Sequence, residues 1–226
     1  QAAGIAAASG GAIFIAVQIN HPPLDLHTVT TTDFLVRSLA KALMAMLALA
    51  GITGIYLRQL RQTGLLGLIG YLIFSVGYFL MFGVEFLAAF VLPSLTDSNP
   101  QFVTDVLSVA VGGTPVGSIG LMQSVLTISG IGYMLGGLIF GIAIFRAGIL
   151  ARWAAALLAV GTIGTVALAV LPESFNRFFA LPVGVALIGL GVSLWRDQRK
   201  QAAASVAAEV GVAEVPETRT EPVVVR

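Results

Sequence analysis

Long apolar segments dominate this chain. Six runs meet or approach the roughly 20 apolar residues that a helix needs to cross a hydrocarbon core about 30 Å thick. They cover about 2–19, 34–57, 64–92, 117–145, 153–171 and 178–195. The runs are continuous and rich in Ala, Leu and Gly, whereas the strands of a membrane barrel alternate in segments of about ten residues. The sequence therefore predicts an all-α, polytopic integral membrane protein with six transmembrane helices.

The composition excludes a soluble globular domain of this length. Hydrophobic residues make up 57% of the chain and charged residues 10%, and the mean hydropathy is +0.95. So few charged side chains cannot cover the surface of a soluble protein. We expect a transmembrane domain at 1–200 and a partly disordered cytoplasmic tail at 201–226. Asn99 as a cap and Pro100 at the first helical position predict a short interfacial helix at about 100–111.

The positions of Lys and Arg indicate how the helices are oriented. The loops that we predict to lie outside the cytoplasm are at about 20–33, 93–116 and 172–177. They contain one basic residue and five acidic ones. Because short basic connections stay in the cytoplasm, we expect both termini to be cytoplasmic. The first run lacks basic residues ahead of it, so we expect it to be a membrane helix and not a cleaved signal peptide. The basic residues on the predicted cytoplasmic side are Arg58, Arg61, Arg146, Arg152, Arg196, Arg199 and Lys200.

Three ionisable residues fall within the predicted helices. At 1.5 Å per residue, Arg37 and Lys41 lie about 5 and 10 Å below the outer boundary, and Glu85 lies about 12 Å below it. An isolated charge at this depth costs several kcal/mol. We therefore predict that Glu85 pairs with Lys41 or Arg37 across neighbouring antiparallel helices. The pair either fixes the register of the two helices or, together with Asp33, forms the floor of an outward-facing ligand pocket.

The stretch NHPPLDLH, at 20–27, holds both histidines of the chain. His21, Asp25 and His27 are residue types that bind zinc. Two consecutive prolines favour an extended backbone, however, and break any helix that would align these side chains. We predict an ordered extracellular turn above the charged residues, with a metal site as the alternative.

Glycine pairs in the fourth apolar run predict close helix packing. Gly132 with Gly136, and Gly137 with Gly141, are each separated by four positions. Small residues at this spacing let two helix backbones approach closely within a membrane. We expect these glycines to pack inside one helix bundle. The alternative is a homo-oligomer that forms through this helix.

The last third of the chain resembles a known group of proteins. The segments FRAGILARWAAALLAVG (145–161) and LPVGVALIGLGVSLW (181–195) combine an Arg…Arg-Trp turn with a final helix that starts at a proline. This combination is similar to the last two helices of small bacterial six-span proteins that are grouped only as a domain of unknown function. The resemblance implies six helices in a bacterial plasma membrane and implies no activity.

The chain lacks the residue patterns of the common membrane and nucleotide enzymes. No predicted helix contains a histidine for haem, and no Walker-type lysine loop or Ser–His pair is present. We therefore expect no cofactor, no nucleic-acid partner and no enzymatic activity. The expected function is that of an accessory subunit of a membrane complex, or of a module that binds a lipid or small molecule. The alternatives are a small transporter of an amphiphilic or anionic molecule, and an intramembrane enzyme.

Overall fold

Helices form nearly all of the structure, a computed structural model that describes residues 1–164 and 180–213. No β-strand occurs among these residues. The helices in chain order are α1 (Ala2–Ala16), α2 (Leu26–Val29), α3 (Thr32–Arg58), α4 (Leu60–Phe90), α5 (Leu92–Leu95), α6 (Pro100–Ala110), α7 (Met122–Ala147), α8 (Arg152–Gly164) and α9 (Ala180–Ala213).

Four of these helices are long and apolar enough to cross a membrane: α3, α4, α7 and the part of α9 at Ala180–Ala208. The predicted all-α class is therefore confirmed for the described residues, and the four long apolar helices are of the kind found in membrane proteins. Of the other two predicted spans, the first is shorter than predicted and the fifth is described only in part. Helix α1 has 15 residues, or about 22 Å at 1.5 Å per residue, which is shorter than the hydrocarbon core. Helix α8 is described over 13 residues, and the rest of the fifth predicted span lies outside the described residues.

Six helices pack in a closed ring in the order α1, α3, α4, α7, α8 and α9, and α9 returns to contact α1. Most of these contacts join helices that are adjacent along the chain. The contacts of α4 with α7 and of α1 with α9 join more distant helices. The ring encloses a buried apolar core that includes Ile52, Phe74, Tyr78, Phe140 and Leu187. Each helix of the ring thus has two main neighbours and one outward face.

The two ends of the ring differ in charge and in loop length. We call one end the basic end: it carries the C-terminus of α3, the turn between α7 and α8, and residues 196–200 of α9. We call the opposite end the long-loop end, because it carries α2, α5 and α6 with their connections. The basic end is the one that the sequence predicts to face the cytoplasm.

Helix α7 begins at Met122 and not near 117, because the preceding loop is held against α6. The buried Asp105 carboxylate, which is 2% exposed, accepts the backbone N–H of Val116 at 3.0 Å and of Gly117 at 2.8 Å. The side-chain amide of Gln101 donates a third bond at 2.9 Å. The two backbone bonds hold the pKa of Asp105 below its usual value. These bonds fix the loop in a non-helical path.

The turn between α3 and α4 depends on a glycine. Gly64 has a φ of 55° within the first turns of α4, a left-handed conformation that glycine adopts without a steric cost. The chain reverses direction here within a few residues. As a result α3 and α4 become antiparallel neighbours, as the short connection predicts.

Candidate functional site

The predicted ion pair between α3 and α4 is present. Lys41 Nζ lies 3.6 Å from Glu85 Oε1, and the two side chains are 19% and 16% exposed. The prediction that Glu85 pairs with a basic residue of the preceding helix is therefore confirmed, and Lys41 is the partner. The pair lies between two helices that are adjacent in the ring, so it joins α3 to α4 at one relative position.

Arg37 binds the end of α1. Its Nε donates to Asp33 Oδ2 at 2.9 Å. Its Nη1 donates to the carbonyl oxygens of Val17 at 3.1 Å and Ile19 at 2.9 Å, and its Nη2 donates to that of Asn20 at 3.2 Å. These carbonyls belong to the C-cap residue of α1 and to the turn that follows it. Arg37 therefore satisfies backbone acceptors of this turn and joins the C-terminal end of α1 to α3.

The four residues predicted to bind a ligand thus lie at the junction of α1, α3 and α4. Asp33 and Arg37 contact one another, and so do Lys41 and Glu85. Each charge has an opposite charge beside it, which lowers the cost of placing it at this depth. The geometry supports the structural interpretation of these residues, in which they fix the positions of three helices.

The stretch NHPPLDLH forms a turn that leads into α2. Asp25 caps α2 by accepting the backbone N–H of Thr28 at 2.8 Å and its hydroxyl at 2.5 Å. The Thr28 hydroxyl and N–H hold the pKa of the Asp25 carboxyl below its usual value. His21 Nδ1 lies 2.8 Å from the carbonyl oxygen of Pro22. Within the described ranges, no group of three His, Asp or Glu side chains has a geometry that could hold a metal ion.

The four glycines of α7 that form the predicted pairs pack inside the chain. Gly132 and Gly136 face α4, where a Cβ atom added at Gly136 would lie 2.3 Å from the backbone nitrogen of Phe74. Gly137 and Gly141 face α8. Such short distances show that the helix backbones are in direct contact. The four glycines therefore allow α7 to pack closely against its two neighbours in the ring, α4 and α8.

A groove of about 620 Å³ lies at the basic end, between the turn that joins α7 to α8 and the face of α9. Ile149 and Trp153 line it from the turn and from the start of α8. The Ala151 N–H donates to Ser193 Oγ at 3.0 Å, which holds this turn against α9. Trp153 is 59% exposed, as is common for a tryptophan at the boundary between membrane and water.

One stripe of α9 forms the opposite wall of the groove. Val185, Gly189, Ser193, Arg196 and Lys200 all line the groove, and their spacing of three or four residues places them on one helix face. Along this stripe the side chains change from apolar to hydroxyl to cationic. Val185 and Arg196 are separated by about 16 Å along the helix axis. The groove therefore has an apolar end and a positively charged end.

An acidic residue that lines the groove, Asp197, is neutralised by a basic residue of α3. Arg58 Nε forms an ion pair with Asp197 Oδ2, and Arg58 Nη2 donates to Asp197 Oδ1 at 3.2 Å. The side-chain amide of Gln201 donates to Asp197 Oδ2 at 2.8 Å. Both carboxylate oxygens are thus occupied, and the charge of Asp197 is balanced from the α3 side.

Sequence reasoning used the basic residues of this groove only to orient the chain. The signal for the stripe is nevertheless present, because the five positions from 185 to 200 follow helical spacing and change steadily in polarity. The approach of Trp153 and the pairing of Asp197 with Arg58 depend on contacts between helices. Those contacts have no local sequence signal.

No protein-family model, no curated protein and no solved structure matches this chain.

Proposed function

We propose that this chain is a non-enzymatic, multi-pass protein of the bacterial plasma membrane that binds a membrane lipid in the groove at its basic end. The observation that carries the proposal is the stripe of α9, on which apolar residues, a hydroxyl and cations follow one another along the groove. A phospholipid has the same order of polarity from its acyl chains through its ester groups to its phosphate. Basic pockets between helices at the cytoplasmic boundary are a common form of lipid site.

The exposed tryptophan supports the same proposal. Trp153 lies against Gly189, where a Cβ atom would be 2.5 Å from the indole ring. The absence of a side chain at Gly189 lets the edge of the indole ring contact α9. Tryptophan concentrates at the level of the lipid headgroups. At the level of the headgroups, we expect the apolar part of the groove to end and its basic part to begin.

A transport site at the long-loop end is less well supported. It would use the four charged residues at the junction of α1, α3 and α4. Arg37 is held by Asp33 and by the carbonyls that follow α1, and Lys41 is held by Glu85. A ligand anion would have to compete with these partners. None of the four charged residues lines the groove.

The orientation in this proposal makes a labelling prediction. The chain contains no cysteine, so a single introduced cysteine is a unique label. We expect cysteines at Thr30 and Asn99 to react with an impermeant maleimide added to intact cells, because the basic end remains inside. A cysteine at Gln62 should react only after the membrane is permeabilised. The reverse pattern would place the basic end outside and would contradict the proposed orientation.

Lipid retention tests the proposed function. Val185→Trp fills the apolar part of the groove without changing any charge. We expect this variant to retain lipid about fivefold less well than the wild type, since the lost apolar contact is worth about 1 kcal/mol. The measurement is the fraction of purified protein that carries a lipid adduct in native mass spectrometry.

The matched control for this experiment is Val160→Trp. Val160 is an exposed valine of α8 that does not line the groove. This variant should retain lipid as the wild type does. Equal lipid retention by the wild type and by Val185→Trp would contradict lipid binding in the groove.

A further inference from the structure

We infer that the lipid of this groove is an anionic phospholipid whose phosphate is bound by Arg196 and Lys200. The inference rests on the proposed function and adds the chemical class of the headgroup. It further assigns Arg58 a role as the positioning residue that keeps these two cations available, through its ion pair with Asp197.

The charge of the groove comes from three residues. Of the described residues that line it, Arg196, Asp197 and Lys200 are ionisable. Asp197 is neutralised by Arg58. Within residues 1–164 and 180–213, neither Arg196 nor Lys200 has an ion-pair or hydrogen-bond partner. Among the described residues, the groove thus presents two positive charges without an opposite charge at one end.

The two cations are spaced to contact one phosphate group. Arg196 and Lys200 are four residues apart on α9, so their Cβ atoms are about 6 Å from one another on the same face. Guanidinium and ammonium groups both donate charge-assisted hydrogen bonds to phosphate oxygens. A zwitterionic headgroup brings its own cation into this region, where the two basic side chains repel it. An anionic headgroup brings no such charge.

Two other arginines at the basic end, Arg199 and Arg152, contact aromatic rings. The Arg199 guanidinium carbon lies 4.8 Å from the centre of the Trp195 ring. The corresponding atom of Arg152 lies 4.9 Å from the centre of the Phe145 ring, and Arg152 Nε donates to the Phe145 carbonyl oxygen at 3.1 Å. Neither arginine lines the groove. Arg199 therefore provides a control of equal charge on the same helix.

The ion pair between Arg58 and Asp197 determines whether the groove stays basic. Asp197 is the residue next to Arg196 and is three residues from Lys200 on α9. Without Arg58, its carboxylate would turn to one of these cations and compete with the phosphate. The Arg58→Gln variant is therefore expected to lower the preference for anionic lipid. Arg58→Gln together with Asp197→Asn removes the competing acid as well and should restore that preference.

Competitive lipid binding tests the inference. The full chain is purified in micelles that contain equal amounts of phosphatidylglycerol and phosphatidylcholine with the same acyl chains. The ratio of the two adducts is then measured by native mass spectrometry at fixed ionic strength. We expect the wild type to prefer phosphatidylglycerol. Arg196→Gln with Lys200→Gln should reduce that preference by about 30-fold, since each cation near a membrane surface contributes about fivefold.

Four outcomes would overturn the inference. The first is equal binding of the two lipids by the wild type, which would leave lipid binding intact and remove only the anionic class. The second is an equal loss of preference in Arg199→Gln, which would indicate a general effect of charge. The third would overturn the role of Arg58: it is a preference that Arg58→Gln leaves unchanged, or that the additional change Asp197→Asn fails to restore. The fourth is displacement of phosphatidylglycerol by excess inorganic phosphate, which would indicate a free-anion site.

The failure of the proposed function would look different. In that case neither lipid would be retained by the wild type, or Val185→Trp would retain both lipids as the wild type does. The exposed positions of Arg196 and Lys200 make their substitution compatible with folding, so the central comparison does not depend on the Arg58 variants.

Discussion

Replacing Glu85 with glutamine should destabilise the protein by about 2–4 kcal/mol, because it leaves the Lys41 ammonium without its partner between two helices. The pair is mostly but not fully buried, with 19% and 16% of the two side chains exposed. The expected loss is therefore somewhat smaller than for a fully enclosed pair. Free energies of unfolding in a fixed detergent mixture provide the measurement.

A double-mutant cycle separates this pair from a general loss of packing. Replacing Lys41 with methionine in the Glu85→Gln background removes the unpaired cation, so stability should partly recover. Additive losses in the double variant would show that the two residues are not coupled. Asp33→Asn provides the comparison at an exposed pair, since the Asp33 side chain is 55% exposed. We expect that change to cost less than about 1 kcal/mol.

The second large effect is expected at the contact between α4 and α7. Gly136→Ala places a methyl group 2.3 Å from the backbone nitrogen of Phe74. A backbone atom within a helix cannot move aside without separating the two helices. We therefore expect a loss of about 3 kcal/mol or more, at the upper end of the range for overpacked positions. The same detergent unfolding experiment measures it.

Gly130 provides a control for Gly136 on the same helix. A Cβ atom added there meets no atom within 4 Å. Gly130→Ala should therefore leave stability unchanged or raise it by up to about 1 kcal/mol, since alanine has the higher helix propensity. A similar loss in both variants would contradict the view that backbone contact between α4 and α7 makes Gly136 necessary.

The regular geometry of the α-helix made the ion pair between α3 and α4 partly predictable. The number of residues between each charge and the membrane boundary placed Lys41 and Glu85 at similar depths, because a helix rises by a constant 1.5 Å per residue. The same calculation could not choose between Lys41 and Arg37. That choice depends on the carbonyls of Val17 and Ile19, which the end of α1 brings to Arg37. The local sequence does not determine where the end of α1 lies relative to α3.

Contacts between distant helices were the part that the sequence did not predict. Gly4 and Gly11 of α1 face Gly191 and Gly184 of α9, with the backbones in direct contact. Both glycine pairs have a spacing of seven residues, which is a packing signal. Glycine spacing does not show which two helices pack together, however, so the partner of each glycine pair could not be identified from the sequence. The groove at the basic end was missed for the same reason, because its two walls come from different helices.

The contact of α1 with α9 also affects how the protein is made. Helix α1 is synthesised before α9, and at about 5–20 residues per second α9 follows it roughly 10 to 30 s later. During this interval Gly4 and Gly11 of α1 lack their partner helix. The hydrogen bonds from Arg37 to the carbonyls after α1 need only α3, which is made much earlier. We therefore expect Arg37, together with the packing of α1 on α3, to hold α1 in place until α9 is made and closes the ring.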